Sequence, residues 1–239
     1  MLKEARVGTV CQNCLARNSP LCSALAGDRI EELFAIGHRV SVEEGGYLLH
    51  EEDPSTYVYN ISSGVSTLER LASDGRRQIM AFVYPGDFVG ITSGAFYSVS
   101  GRALTPLTAC RWHVRDLEGL YKKYPALEQR IHEIASRVLA ATMDQLFVLG
   151  RKNAVEKIAY FLLFIDMKQE KFDGHTDSFA LPMSRVDIAD YLGITVETVS
   201  RTISTLKRLG LIEVSQSWMV NLKDKERLRD IAEHYGPVR

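Results

Sequence analysis

The chain has 239 residues, 46% of them apolar and 25% charged, with 17 glycines and 7 prolines. Those proportions exclude a disordered, collagen-like or disulfide-scaffold protein, and the length allows one large domain or two modest ones. A net charge of −1 excludes a polybasic protein that grips DNA or a membrane by bulk field alone. The longest dense apolar run, Ile158 to Ile165, falls far short of the ~20 residues of a membrane helix. No membrane partner is therefore expected. No opening stretch combines a basic flank with an apolar core, so the expected address is cytoplasmic. There, Cys11, Cys14, Cys22 and Cys110 are not expected to form structural disulfides.

Residues 1–27 show no clear periodicity and hold three of the four cysteines. From 28 to 124 the chain reads as an antiparallel β-roll, with strands expected near 38–42, 46–50, 57–62, 65–71, 78–83, 102–105 and 107–114. Turn formers such as Asp53-Pro54-Ser55 and Ser73-Asp74-Gly75 punctuate them. Past Pro125 the period becomes helical. Ile131, Ile134, Val138, Ala141, Gln145 and Val148 recur at steps of three and four, predicting a dimerisation helix over 125–150. The same spacing also fits a helix that packs within its own chain.

Residues 151–239 form the last expected domain. Asn153 and Glu156 have the spacing of a capping box at the start of a helix. Ser184 with Asp187 caps a second, short helix, Gly193 ends it, and Thr195 caps a third with Val196, Val199, Ile203, Leu206 and Leu209 inward. The last two make a helix-turn-helix, whose second member enters the DNA major groove. Runs 211–214 and 218–222 add a hairpin wing. The fold class is α+β: a β-roll, a long helix and a C-terminal winged helix-turn-helix.

Glu197, Ser200 and Arg201 share the outward face of that last helix near its start. Arginine can donate twice to guanine O6 and N7, glutamate can accept from cytosine N4, and serine is permissive. The competing explanation is a surface ion pair between Glu197 and Arg201. Thr195 to Gly210 has a net charge of only +2, so DNA binding must be local.

Cys11-x2-Cys14-x7-Cys22, with Cys110 distant, offers four thiolates to one soft metal centre, and iron–sulfur clusters and zinc both accept such a set. The alternative is ordinary buried cysteine. The six histidines show no metal or triad spacing, and no βαβ pattern follows Cys11 and Cys14, so no enzyme is expected.

The run Ile194-Thr195-Val196-Glu197-Thr198-Val199-Ser200-Arg201-Thr202-Ile203 closely resembles the recognition helix of the Crp–Fnr superfamily of bacterial transcription regulators. Glu197-x-x-Ser200-Arg201 has the form of the Fnr branch, and Val196 stands where the Crp branch has an extra arginine. The resemblance implies a homodimeric activator that contacts RNA polymerase and reads a palindrome of TTGAT-type half-sites. It also implies an oxygen-labile [4Fe–4S] cluster on Cys11, Cys14, Cys22 and Cys110, with the cysteine spacing similar to Fnr-type regulators of alphaproteobacteria. Asp144 aligns with an aspartate that opposes dimerisation, at a position flanking the predicted seam. Cyclic nucleotide is not the implied signal: the turn Pro85-Gly86-Asp87-Phe88-Val89-Gly90-Ile91 has no glutamate at the ribose place, and Gly101-Arg102-Ala103 is a remnant. The alternative signals are zinc, thiol redox chemistry or a small-molecule effector.

Overall fold

The structure, a computed structural model, describes residues 3–6, 14, 19–25, 29–173, 178–215 and 218–233. The chain divides into two compact units, residues 1–140 and 141–239.

The first unit carries β1 (Lys3–Arg6), a 3-10 turn (Cys22–Ala24), α1 (Arg29–Ala35), β2 (Gly37–Val42), β3 (Tyr47–Leu49), β4 (Tyr57–Ser63), β5 (Ser66–Leu71), β6 (Arg77–Val83), β7 (Phe88–Val89), β8 (Ser100–Ala103), β9 (Leu107–His113) and α2 (Val114–Lys123). Its strands form two antiparallel sheets, in the orders β1-β2-β9-β4-β7 and β3-β8-β5-β6. Every expected strand is present with ends shifted by a residue or two. β1, β7 and α1 are additions too short to show a period, and the ten-residue α2 is a further addition between the last strand and Pro125.

The sequence of β4 explains how the core divides. Alternate residues of a strand face opposite sides of the sheet. Tyr59 and Ile61 join Val40, Leu107 and Ala109 in one buried cluster, whereas Val58 belongs with Leu21, Cys22, Leu33, Trp112, Leu117, Leu127 and Ile134 in another. Trp112 anchors the second cluster: its indole N–H donates to the Leu33 carbonyl at 2.8 Å. A Cβ at Gly37 would lie 2.7 Å from that indole nitrogen, so the close approach requires glycine there.

α3 runs from Pro125 to Arg151. Its surface takes two residues out of the predicted seam and leaves others exposed. Ile134 and Val148 are buried, each within its own unit, and the Gln145 amide donates to the Tyr191 carbonyl at 3.1 Å. The large exposed apolar side chains are Val138, Leu139, Met143, Leu146 and Phe147, all at least 50% accessible. Leu139, Met143 and Leu146 follow at steps of four and three, a line that Thr142 flanks. The predicted residues do share one face, but its two ends are taken up by the cores of the two units, while Val138 and Ala141 between them stay exposed.

In the second unit, α4 (Ala154–Asp173) precedes β10 (Phe179–Ala180), α5 (Arg185–Leu192), α6 (Val196–Arg208), β11 (Ile212–Val214), β12 (Met219–Leu222) and α7 (Lys225–Glu233). The expected cap of α4 forms: the Asn153 carbonyl oxygen of the side chain accepts from Val155 N at 2.9 Å and Glu156 N at 3.1 Å. The hairpin β11–β12 gains β10 as a third, antiparallel strand. No helix among the described residues is long and apolar enough to cross a membrane.

Candidate nucleic-acid interface and thiol site

The helix-turn-helix is built by its caps. Ser184 Oγ accepts from Asp187 N at 3.1 Å, and Asp187 Oδ2 accepts from Ser184 N at 2.9 Å, a complete capping box. Gly193 closes α5 at φ 61° and ψ 43°, the left-handed region that glycine enters without strain. Thr195 Oγ1 then accepts from Thr198 N at 3.2 Å and starts α6, which turns Val199, Thr202, Ile203 and Leu206 into the core. Two donors hold the far end of α5: the half-buried Gln145 amide on Tyr191 O, and the buried Lys157 ammonium on Leu192 O at 3.0 Å.

That inward set leaves Glu197 and Arg201 exposed and Ser200 half-buried beside them. The Glu197 carboxyl is held below the usual carboxylate range, first by its own backbone N–H and then by the Thr195 hydroxyl, with a smaller contribution from the Arg201 charge. It is anionic at neutral pH, as an acceptor for cytosine N4 must be. Arg201 donates to Thr198 Oγ1 at 3.4 Å, a contact at the outer limit of a hydrogen bond. One residue beyond the predicted set joins this surface. Arg185, at the start of α5, donates to Ser200 Oγ at 3.1 Å and lies 5.0 Å from the Trp218 ring centroid. The sequence placed Arg185 only inside a capping box, and no spacing rule ties it to Ser200.

A profile described as "Crp-like helix-turn-helix domain" matches residues 156–231, and one described as "Cyclic nucleotide-binding domain" matches residues 39–124. Over 225 residues, 94% of each chain, the sequence is 39% identical to the nitrogen fixation regulation protein FixK of Bradyrhizobium diazoefficiens. The chain belongs to the Crp–Fnr family. Its relatives in that family are transcription regulators, not enzymes, and so is this chain. It is also 33% identical over 227 residues to the transcriptional activator protein FnrL of Cereibacter sphaeroides, covering 93% of this chain and 91% of the other. Among solved structures it is similar to FixK2 from Bradyrhizobium japonicum, with a TM-score of 0.77 and 32% identity over 83% of this chain and 98% of that one. A Crp-like helix-turn-helix implies DNA binding by this Crp–Fnr regulator, through the domain in which α6 lies.

Cys110 lies on β9 of the β-roll, and Cys22 lies in the 3-10 turn packed beside it. Cys22 is only 7% accessible and Cys110 is half-buried, and both pack in the cluster around Trp112. Asn60 stands between them. It is opposite Cys110 in the β4–β9 register, and its amide donates to Ser19 Oγ at 2.9 Å and to Cys22 Sγ at 3.5 Å. Its Oδ1 is buried with no hydrogen-bond partner among the described residues. Cys14 is half-buried, and Cys11 lies outside the described residues. No three His, Cys, Asp or Glu side chains among the described residues stand together as a metal site. Of the three placed cysteines, Cys22 and Cys110 share the apolar cluster around Trp112, and Asn60, which strand alternation alone left unremarked, lies beside both.

Arg102, which the resemblance implied at most as a remnant of a nucleotide site, turns to Glu69. The Glu69 carboxylate is buried and takes Arg102 Nε at 3.4 Å, Arg77 at 3.3 Å and the Thr67 hydroxyl at 3.0 Å. Asp144 is exposed on α3, directly after Met143, and turned away from the line through Leu139, Met143 and Leu146.

Proposed function

We propose that the chain is an oxygen-responsive, cytoplasmic activator that binds a TTGAT-type palindrome as a homodimer and holds an iron–sulfur cluster on Cys11, Cys14, Cys22 and Cys110. The observation that carries the sensing part is the convergence of Cys22 and Cys110 on Asn60 inside one apolar cluster. When bound, a cluster of this kind supplies oxygen-labile iron chemistry at that point.

The chain's own residues give a route from thiols to DNA. Leu127 and Ile134 of α3 pack in the cluster that contains Cys22, so moving the 19–25 turn changes how the start of α3 is held. Farther along, Leu139, Met143, Leu146 and Phe147 expose an apolar line, with Val138 exposed to one side of it, that a second copy of α3 covers. Asp144 then stands off the seam, where repulsion between two exposed carboxylates is worth on the order of tenths of a kcal/mol. Its role is tested by Asp144→Ala: a variant that keeps its operator affinity in air supports a switch there, and a variant as oxygen-sensitive as the parent removes it. Two α6 helices one DNA turn apart, ~34 Å, match a palindrome. The turn 84–90 and the surface of the DNA-binding domain are the surfaces offered to RNA polymerase.

Fluorescence anisotropy with a TTGAT palindrome, a single half-site and a scrambled duplex tests the DNA part. Tight binding to the palindrome alone is expected, and equal affinity for all three contradicts it.

A further inference from the structure

The sheet that carries the thiols has a second functional face. Asn60 and Cys110 point to one side of β4 and β9; their neighbours Tyr59 and Arg111, also opposite one another in register, point to the other. There, between the ends of the two sheets, lies an open pocket of about 470 Å³ lined by Tyr47, Tyr57, Tyr59, Tyr97, His50 and Arg111. This is within the usual size of a small-molecule site.

Its walls are fixed in advance. The Tyr97 hydroxyl donates to Tyr57 O at 2.7 Å and accepts from Tyr57 N at 3.1 Å, and the Tyr59 hydroxyl also bonds to it. Tyr47 stacks on His50 with centroids 4.5 Å apart, and the Arg111 guanidinium lies 4.2 Å over the Tyr57 ring. Four phenol rings favour a flat aromatic guest through stacked or edge contacts. One arginine, half-buried on the sheet, matches one carboxylate through its fork of donors. Asp53, exposed at the mouth, disfavours a second negative charge on the guest. We propose that this cavity is an effector site for a small aromatic monocarboxylate, bound with its carboxylate on Arg111 and its ring among the tyrosines.

The site goes beyond the iron-based reading and does not depend on it, because neither Tyr59 nor Arg111 faces the thiols. The two inputs meet in the backbone, since an occupant held by Tyr59 and Arg111 stiffens the residues that carry Asn60 and Cys110.

The test is calorimetric titration of the full-length, metal-free chain with benzoate, 1-naphthoate, cyclohexanecarboxylate, benzyl alcohol and 3′,5′-cyclic AMP. An aromatic carboxylate is expected to bind at least tenfold more tightly than benzyl alcohol or cyclohexanecarboxylate. Arg111→Gln is expected to weaken it at least tenfold, and Arg111→Lys to recover part of the loss, with both variants checked for folding by circular dichroism. Occupancy should also slow alkylation of Cys110. No binding of either aromatic acid at millimolar concentration, equal binding by Arg111→Gln, or competition by cyclic AMP overturns the proposal; an unchanged alkylation rate overturns the coupling. Because the chain is metal-free throughout, failure here leaves the iron reading untouched, and absence of iron from anaerobic protein leaves this site untouched.

Discussion

Replacing Arg201 by alanine separates recognition from folding. In the free protein the guanidinium is exposed, donates to Thr198 Oγ1 at 3.4 Å and adds a small favourable charge interaction with Glu197. Its removal costs the fold little: surface substitutions of this kind fall within about 0.5 kcal/mol, and alanine is the better helix former. Against guanine, a bidentate arginine is worth about 1–3 kcal/mol. At ~1.4 kcal/mol per tenfold, that is about 5- to 150-fold per half-site. Anisotropy titrations of parent and Arg201→Ala on a TTGAT palindrome, and on one with guanine replaced by adenine in both half-sites, measure it directly. The parent should discriminate between the duplexes and the variant should not, with unchanged thermal unfolding. A variant that still prefers guanine by the parental ratio refutes the assignment of Arg201 to a base edge.

Other perturbations follow from the same geometry. Asn60→Ala removes the donor to Ser19 and Cys22, so alkylation of Cys22 should quicken several-fold; an unchanged rate denies Asn60 its hold on the turn. Leu146→Asp puts a charge on the exposed line of α3 and should turn dimer into monomer in sedimentation, and a persistent dimer would place the interface elsewhere. Burial pulls the Lys157 ammonium below the usual lysine range. Below that depressed value both states are charged and the fold bears the full desolvation cost. As pH rises through it, the folded chain sheds the proton before the unfolded chain does, so stability contributed here rises with pH. Lys157→Met should abolish that alkaline rise in thermal unfolding scans, and an identical slope would show that the group is not desolvated.

The DNA-binding half was the more legible because its signals are local. Ser184, Asp187, Gly193 and Thr195 define both helices of the motif through bonds spanning three residues, and the period of α6 then leaves Glu197 and Arg201 outward. The β-roll was legible as strands, since alternation and turns survive in short runs. Long-range pairings were not. Nothing near Asn60 announces a partner 38 residues away in a 3-10 turn, and Arg185 meets Ser200 only once the turn at Gly193 has folded. The seam on α3 misled for a different reason. Ile134 and Val148 obey helical spacing because each fills the core of its own unit, so of the predicted apolar seam Val138 stays exposed, and Leu139, Met143 and Leu146 add a neighbouring exposed line.

The central claim is that thiol-held iron governs operator binding. One preparation, purified without air and divided in two, tests it: iron and sulfide content and operator affinity are measured before and after exposure to oxygen. The account predicts a brown protein with iron and sulfide in equal amounts that binds the palindrome tightly, then loses both cluster and affinity in air. A colourless, iron-free protein that binds the palindrome equally in both atmospheres contradicts it.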